Sequence, residues 1–325
     1  MEIKKASKSA FECFDNCSWQ YYLQYIIGLR TPSGKSALLG TICHNVLELL
    51  AKFKKSKRIH NRTILNNPDI LLDICFARHS RMTPEIPLVN ADKNECRKWL
   101  SKILDGPRDP RKLDVIYVEH GFLMEFHKPG FKYQFKDIIG QFCLNGYIDL
   151  INIIEENGEK VLEIVDYKFG KYSTDWATGE EKTNDNIRKD LQMRCYYLAC
   201  QYLFPEFQKI KLTVVYVQLG KVLSCYMDES DATIAIDDIR RRFKNIINTK
   251  QPIRLIDDKS KSKQHFKCRS VCHFGKTKDS KNGKSLCENY YRQYVTDASV
   301  LYELTMNRER IKTGKKPIQD KIIIK

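Results

Sequence analysis

No run of about 18 apolar residues occurs in the 325-residue sequence, so no membrane-spanning helix is expected. The opening residues Met1–Ala10 are polar and lysine-rich, and Phe11–Gly28 lacks the continuous apolar block of a secretory signal. No membrane partner is therefore expected, and the expected compartment is cytoplasmic. There is no internal repeat. The phosphate-binding pattern Gly-x-x-x-x-Gly-Lys-Ser/Thr is missing, and Gly34-Lys35-Ser36 matches only its end. Any nucleotide-driven motor would have to be another chain. Acidic residues are in deficit, 40 against 56 basic, for a formal charge of +16. A surplus of this size favours a polyanionic partner and carries no information about the fold. Twelve cysteines in a reducing compartment exclude a disulfide framework, leaving buried thiols and a few metal ligands.

The hydrophobic and charged fractions, 42% and 30%, are those of an ordinary globular protein with one large core or two modest ones. Four regions are expected. Residues 1–54 read as two helices, Ser7–Leu29 ending at Gly28 and a second from Ser36 to Lys54, joined by a loop with Pro32 and Gly34. Residues 55–114 read as a helical insertion broken by five prolines. Residues 115–250 hold the strands Val115–Phe126, Ile138–Ile154, Val161–Phe169, Lys211–Leu219 and Lys221–Met227, with helices over Asn184–Phe204 and Ala232–Asn248. Residues 251–325 carry 18 basic against 8 acidic residues and a group of cysteines. This order predicts a mixed α/β fold without regular strand–helix alternation.

The strongest local signal is Glu156-Asn157-Gly158-Glu159 between two apolar segments, since Asn-Gly favours a two-residue type I′ hairpin turn. With Asn157 and Gly158 at its centre, paired residues have numbers summing to 315. Asp149 then stands opposite Asp166 on one face, with Lys168 two residues further along that face. Ile151, Ile153, Leu162 and Ile164 share it, and Leu150 and Val165 take the other side. Two carboxylates among apolar neighbours need compensation, which a divalent cation such as Mg²⁺ supplies. Lys168 can orient or deprotonate a water, or stabilise charge developing on a phosphate. The competing reading is a salt-bridged surface hairpin, and the apolar character of both faces argues against it.

Five pieces of the chain, in order, resemble the RecB-like branch of the PD-(D/E)xK nuclease superfamily. They are the Cys17–Leu29 segment with its Trp and Tyr residues, Gly40-Thr-Ile-Cys-His44, Gly146-Tyr-Ile-Asp149, Asp166-Tyr-Lys168 and Gln192-Met-Arg-Cys-Tyr196. The likeness runs from about Ser7 to Tyr290 and extends to CRISPR-associated and AddB-type iron–sulfur exonucleases. It implies a restriction-endonuclease-like mixed sheet flanked by helices, with a cysteine-rich C-terminal clip packed back on the N-terminus. By that resemblance His44, Asp149, Asp166 and the backbone carbonyl of Tyr167 hold Mg²⁺ or Mn²⁺, and Asp149, Asp166 and Lys168 are catalytic. Arg188, Gln192 and Tyr196, spaced four apart, form a substrate-binding row, and Glu119 is a further acidic group near the site. Gly40 leaves room for a strand or a phosphate to approach the helix that carries His44.

Cys17, Cys268, Cys272 and Cys287 are similar to the family's four ligands for a [4Fe–4S] cluster. The spacing Cys-x3-Cys-x14-Cys, widened by the loop Lys276–Ser285, departs from the family's closer trio and leaves Zn²⁺ as an alternative. Cys13 could stand in for Cys17, and His265 or His273 for a cysteine. The function implied is a metal-dependent DNA exonuclease preferring single strands or ends, in recombination, repair or replication. A helicase or recombination protein is the implied partner. The alternatives are a structure-specific endonuclease and a catalytically silent DNA-binding subunit.

Overall fold

The computed structural model describes residues 5–29, 31, 34–56, 62–135, 138–170, 179–280, 282–296 and 320–324. Pro32 of the expected loop and much of the basic final segment, 297–319, lie outside them.

The strands are β1 (Lys5–Ala6), β2 (Asp114–Phe126), β3 (Lys132–Phe135), β4 (Ile138–Gln141), β5 (Cys143–Glu156), β6 (Glu159–Lys168), β7 (Ile210–Tyr216), β8 (Lys221–Met227) and β9 (Asp320–Ile324). Seven of them form one mixed sheet in the order β8-β7-β6-β5-β2-β9, with β1 parallel to the start of β5. The pairs β6–β7 and β2–β9 are parallel, and the remaining neighbours on that path are antiparallel. The expected strand Ile138–Ile154 is two strands, because the chain turns at Phe142, whose ring is fully buried.

The hairpin forms in the expected register. Asn157 and Gly158 have φ of 55° and 79°, as a type I′ turn requires. The ladder runs from Glu156–Glu159 to Leu150–Val165, every pair summing to 315. It stops one pair short of Asp149 and Asp166.

The helices are α1 (Lys8–Asn16), α2 (Ser18–Tyr21), α3 (Lys35–Ser56), α4 (Arg62–Asn66), α5 (Asp69–Met82), α6 (Asn90–Leu100), α7 (Asn184–Lys189), α8 (Leu191–Leu203), α9 (Glu229–Asn248), α10 (Phe266–Ser270), α11 (His273–Lys276) and α12 (Leu286–Thr296). One core packs α1, α8 and α9 on a face of the sheet, through residues such as Phe11, Leu198 and Phe243 against Ile151 and Ile164. A second packs α3, α5 and α6 on the opposite face, through Val46, Leu72 and Trp99 against Leu150 and Val165. The region expected as an insertion therefore supplies part of the sheet's own cover. A third, smaller cluster joins α2 to the C-terminal segment through Trp19, Leu23 and Phe274.

Two expected helices are each broken, and both breaks have local causes. Cys17 takes an extended conformation (φ −155°, ψ 106°), closing α1 and capping α2, where its sulfur accepts the Gln20 N–H. Beyond α2, a π-helical turn over Tyr22–Ile26 precedes Gly28, whose φ is +83°. Asp190, with ψ 127°, separates α7 from α8 and accepts the N–H groups of Gln192 and Met193 at the start of α8.

Candidate active site

The site lies where β5 and β6 part, between α3 on one face of the sheet and α8 on the other. Alternation along a strand puts residues two apart on one face. Ile148 and Leu150 break that rule, since Ile148 packs in the α8-side core and Leu150 in the α3-side core. The face switch falls at Asp149. It corrects the expectation that Asp149 shares the Ile151 face with Asp166. The Asp149 carboxylate accepts the Tyr167 backbone N–H at 3.1 Å and stands 3.4 Å from His44 Nδ1 on α3. The His44 ring meets Phe169 edge-on, with centroids 5.0 Å apart.

Asp166 is 1% exposed and meets α8. It pairs with Lys168 Nζ at 2.8 Å and accepts from Gln192 Nε2 at 3.1 Å. Lys168 Nζ in turn donates to Gln192 Oε1 at 2.9 Å, so one amide bridges the acid and the base. Burial works against the Lys168 charge, but Asp166 and Asp149 outweigh it and raise the ammonium above its usual range. Lys168 is thus a cation here, fitted to hold a phosphate or water oxygen and not to accept a proton. His44, Asp149, Asp166, Lys168, Phe169 and Gln192 line one cavity of about 460 Å³.

Tyr196 and Arg188 are not placed as substrate-binding groups. The Tyr196 hydroxyl is buried, donates to the Tyr147 carbonyl at 2.6 Å and accepts from Gln192 at 2.5 Å. It orients Gln192 and is a positioning group. Arg188 lies on α7, beyond the break at Asp190, and its guanidinium is held by Asp228 at 2.7 Å and Asp231 at 2.6 Å. The expected row of three is a row of two.

The two motif glycines differ in their steric surroundings. A β-carbon on Gly146 would stand 2.5 Å from the Phe122 ring directly across the ladder. One on Gly40 would touch Phe169 Cβ at 3.4 Å, so Gly40 brings α3 close to the end of β6.

Among the described residues, the group whose potential ligand atoms lie within 4.8 Å of one another is His44, Glu119 and Asp149. A nitrogen and two carboxylates suit a divalent cation. Glu119 was expected only as a further acid near the site. Its place opposite Asp149 depends on how β2 pairs with β5, and no tight turn joins those strands to announce the register.

Cys17, Cys268, Cys272 and Cys287 line a second cavity of about 880 Å³, together with Cys13. The Cys17 sulfur accepts backbone N–H groups from Gln20 at 3.4 Å and Leu255 at 3.3 Å, contacts that suit a thiolate. The Cys13 thiol donates to Gln24 Oε1 and the Cys17 thiol to the Ile253 carbonyl at 3.8 Å, so what distinguishes Cys17 is its pair of backbone N–H donors. Trp19 Nε1 is buried without a hydrogen-bond partner among the described residues. Gly275 lets α11 approach α10, where a β-carbon would lie 2.0 Å from the Cys268 carbonyl oxygen. These residues fit a thiolate-bound metal group. His265 bonds the Asp258 carbonyl and His273 bonds Thr277. No helix among the described residues is long and apolar enough to cross a membrane.

A hairpin-borne Asp and Asp-x-Lys, backed by a helix-borne His on a mixed sheet, are the arrangement of a hydrolase acting on nucleic acid. The chain belongs to the PD-(D/E)XK nuclease superfamily, whose family model matches residues 5–276. Members are hydrolases of nucleic acid and generally use divalent metals. No curated protein matches the chain. Among solved structures, a candidate exonuclease from Eubacterium rectale is 12% identical with a TM-score of 0.46, covering 80% of this chain and 88% of that one. The structure of SSO0001 is also 12% identical, with a TM-score of 0.25, covering 82% of this chain and 94% of that one. With both scores below 0.5, the family assignment stands on the sequence match.

Proposed function

We propose that the protein is a Mg²⁺- or Mn²⁺-dependent deoxyribonuclease, an exonuclease acting on single strands or DNA ends in recombination, repair or replication. The observation that carries this reading is the single cavity shared by His44, Asp149, Asp166, Lys168 and Gln192. The cavity is open to the surface, so a phosphate can reach the acids and Lys168.

His44, Asp149 and Asp166, with the Tyr167 carbonyl, hold the ion. When bound, it supplies an activated water and neutralises charge on the phosphate. The residues do the rest. Lys168, kept protonated by its two acidic neighbours, holds the scissile phosphate or the attacking water. Gln192, braced by Tyr196, fixes Lys168 against Asp166. The basic surplus attracts the DNA backbone, and a helicase or recombination protein opens the duplex ahead of the site. Cys17, Cys268, Cys272 and Cys287 hold a [4Fe–4S] cluster. Tetrahedral zinc would draw its sulfurs to about 3.8 Å from one another. Four thiols lining one cavity suit either group, and the cluster is the one that the motif resemblance favours.

The test is a time course on end-labelled linear and on circular single-stranded DNA, with Mg²⁺, Mn²⁺ or EDTA. Metal-dependent release of mononucleotides or short fragments from linear DNA alone is expected, and Asp166→Ala should lose at least 100-fold in rate. Cutting of the circle would make the protein an endonuclease. Binding without cleavage in either metal would leave a DNA-binding subunit.

A further inference from the structure

We infer that Glu119 is a direct ligand of the divalent ion, joining His44 and Asp149 from a strand outside the hairpin; this rests on the nuclease reading above. The pairs Val118–Leu150 and His120–Ile148 bracket Glu119 and Asp149, setting the two acids opposite each other on β2 and β5.

Both strands change face at this step. Val118 packs in the α3-side core with Leu150. Ile148 packs in the α8-side core, and His120 meets edge-on the ring of Tyr117, which packs against that same core. A strand that switches faces has one residue committed to neither, and here both strands place that residue at the same rung. Each of the two is a carboxylate, and both can turn toward α3, where His44 stands. Glu119 makes the switch by taking φ of 48° inside a strand, a conformation that L side chains rarely adopt and that concentrates at functional sites.

The surroundings single out Glu119 over the other acids. Its ligand atom lies within 4.8 Å of those of both His44 and Asp149. Asp166 pairs with Lys168 and Gln192 and lies outside that close group. Glu48, one turn along α3 from His44, pairs with Lys52. A small recess lined by His44, Glu48, Glu119, Asp149 and Tyr167 opens between β2 and α3. Added to Asp166 and the Tyr167 carbonyl of the proposed site, the group of His44, Glu119 and Asp149 would give one nitrogen, three carboxylates and one carbonyl, leaving the remaining position to water or phosphate.

Calorimetric titration of the metal-free full-length chain with Mn²⁺, and its melting temperature with and without Mn²⁺, test this apart from catalysis. Glu119→Gln should weaken Mn²⁺ binding at least tenfold. Glu119→Gly serves as the second variant, because glycine takes the positive φ without strain. It should melt no lower than the unaltered chain without metal, yet lose most of the Mn²⁺-induced rise. Mn²⁺ affinity within twofold of the unaltered chain in both variants would overturn the inference. If that result came with DNA cleavage intact, the nuclease reading would stand and only Glu119 would fall. A chain that binds Mn²⁺ through Glu119 but cuts no DNA would retain the ligand and remove the nuclease.

Discussion

A β-carbon on Gly146 would stand only 2.5 Å from the Phe122 ring, whereas one on Gly40 would make ordinary contact with Phe169. The two motif glycines therefore predict opposite outcomes. Gly146→Ala must displace a ring that is 1% exposed in a packed core, at a cost of about 1–3 kcal/mol. Gly40→Ala sits inside α3, where alanine gains about 1 kcal/mol of helix propensity, so stability should hold or rise. Urea unfolding followed by circular dichroism compares them directly, and a Gly146→Ala chain as stable as the unaltered one would show that Phe122 is free to move. The same scale explains how far single residues could be read from sequence. Lys168 beside Asp166 was legible because two residues apart on a strand share a face. The lean of Asp149 toward His44 was not, because the face switch that causes it involves a second strand with no local signature. Tyr196 had the right spacing, but its depth in the core belongs to tertiary packing.

Glu163 on β6 is fully buried and binds Arg108 at 2.8 Å, Thr213 Oγ1 at 2.6 Å and Asn152 Nδ2 at 3.1 Å. This network ties the segment before β2 to three strands of the sheet, and the Arg108 carbonyl also accepts the Tyr167 hydroxyl. Arg108→Ala would strand a buried carboxylate and should cost about 3–5 kcal/mol, read from the shift in denaturation midpoint. A loss below about 1 kcal/mol would mean that water reaches Glu163. Among the elements, the β5–β6 hairpin was the most legible, since Asn-Gly sets its own register. The break at Asp190 was hidden, because Asn184–Phe204 keeps a helical pattern across it, and Arg188 was misplaced as a result. Strands β1, β3 and β9 were missed. Each is five residues or fewer, and each is a strand only because a neighbour offers an edge.

The chain is closed on itself by residues from both its ends, with Cys17 facing Cys268, Cys272 and Cys287 across one cavity. Burial pushes the Cys13 and Cys287 thiols up to about 12 and raises Cys17 and Cys268 as well. The consequences for pH have opposite signs with and without metal. Without metal, the raised thiols contribute stability below the ordinary thiol value of 9.0, and that contribution is lost as the pH climbs through the folded value. Loading with metal instead displaces protons, so affinity should rise with pH, by up to about tenfold per unit for each proton released. Calorimetry of Zn²⁺ binding in buffers of different ionisation enthalpy counts those protons, and a count of zero would exclude the thiols as ligands.

The Asn157–Gly158 turn lies about 26 Å along the strand from Asp166, at roughly 3.3 Å per residue, and lines neither cavity. Its length is nonetheless tied to the chemistry. One residue inserted there would slide β6 by a single step against β5, exchanging the two faces of every side chain on it. Asp166 and Lys168 would then point at α3 while Val165 and Tyr167 turned toward α8. A surface tip that meets no substrate is in this way as intolerant of a change in length as the acids themselves are of a change in identity.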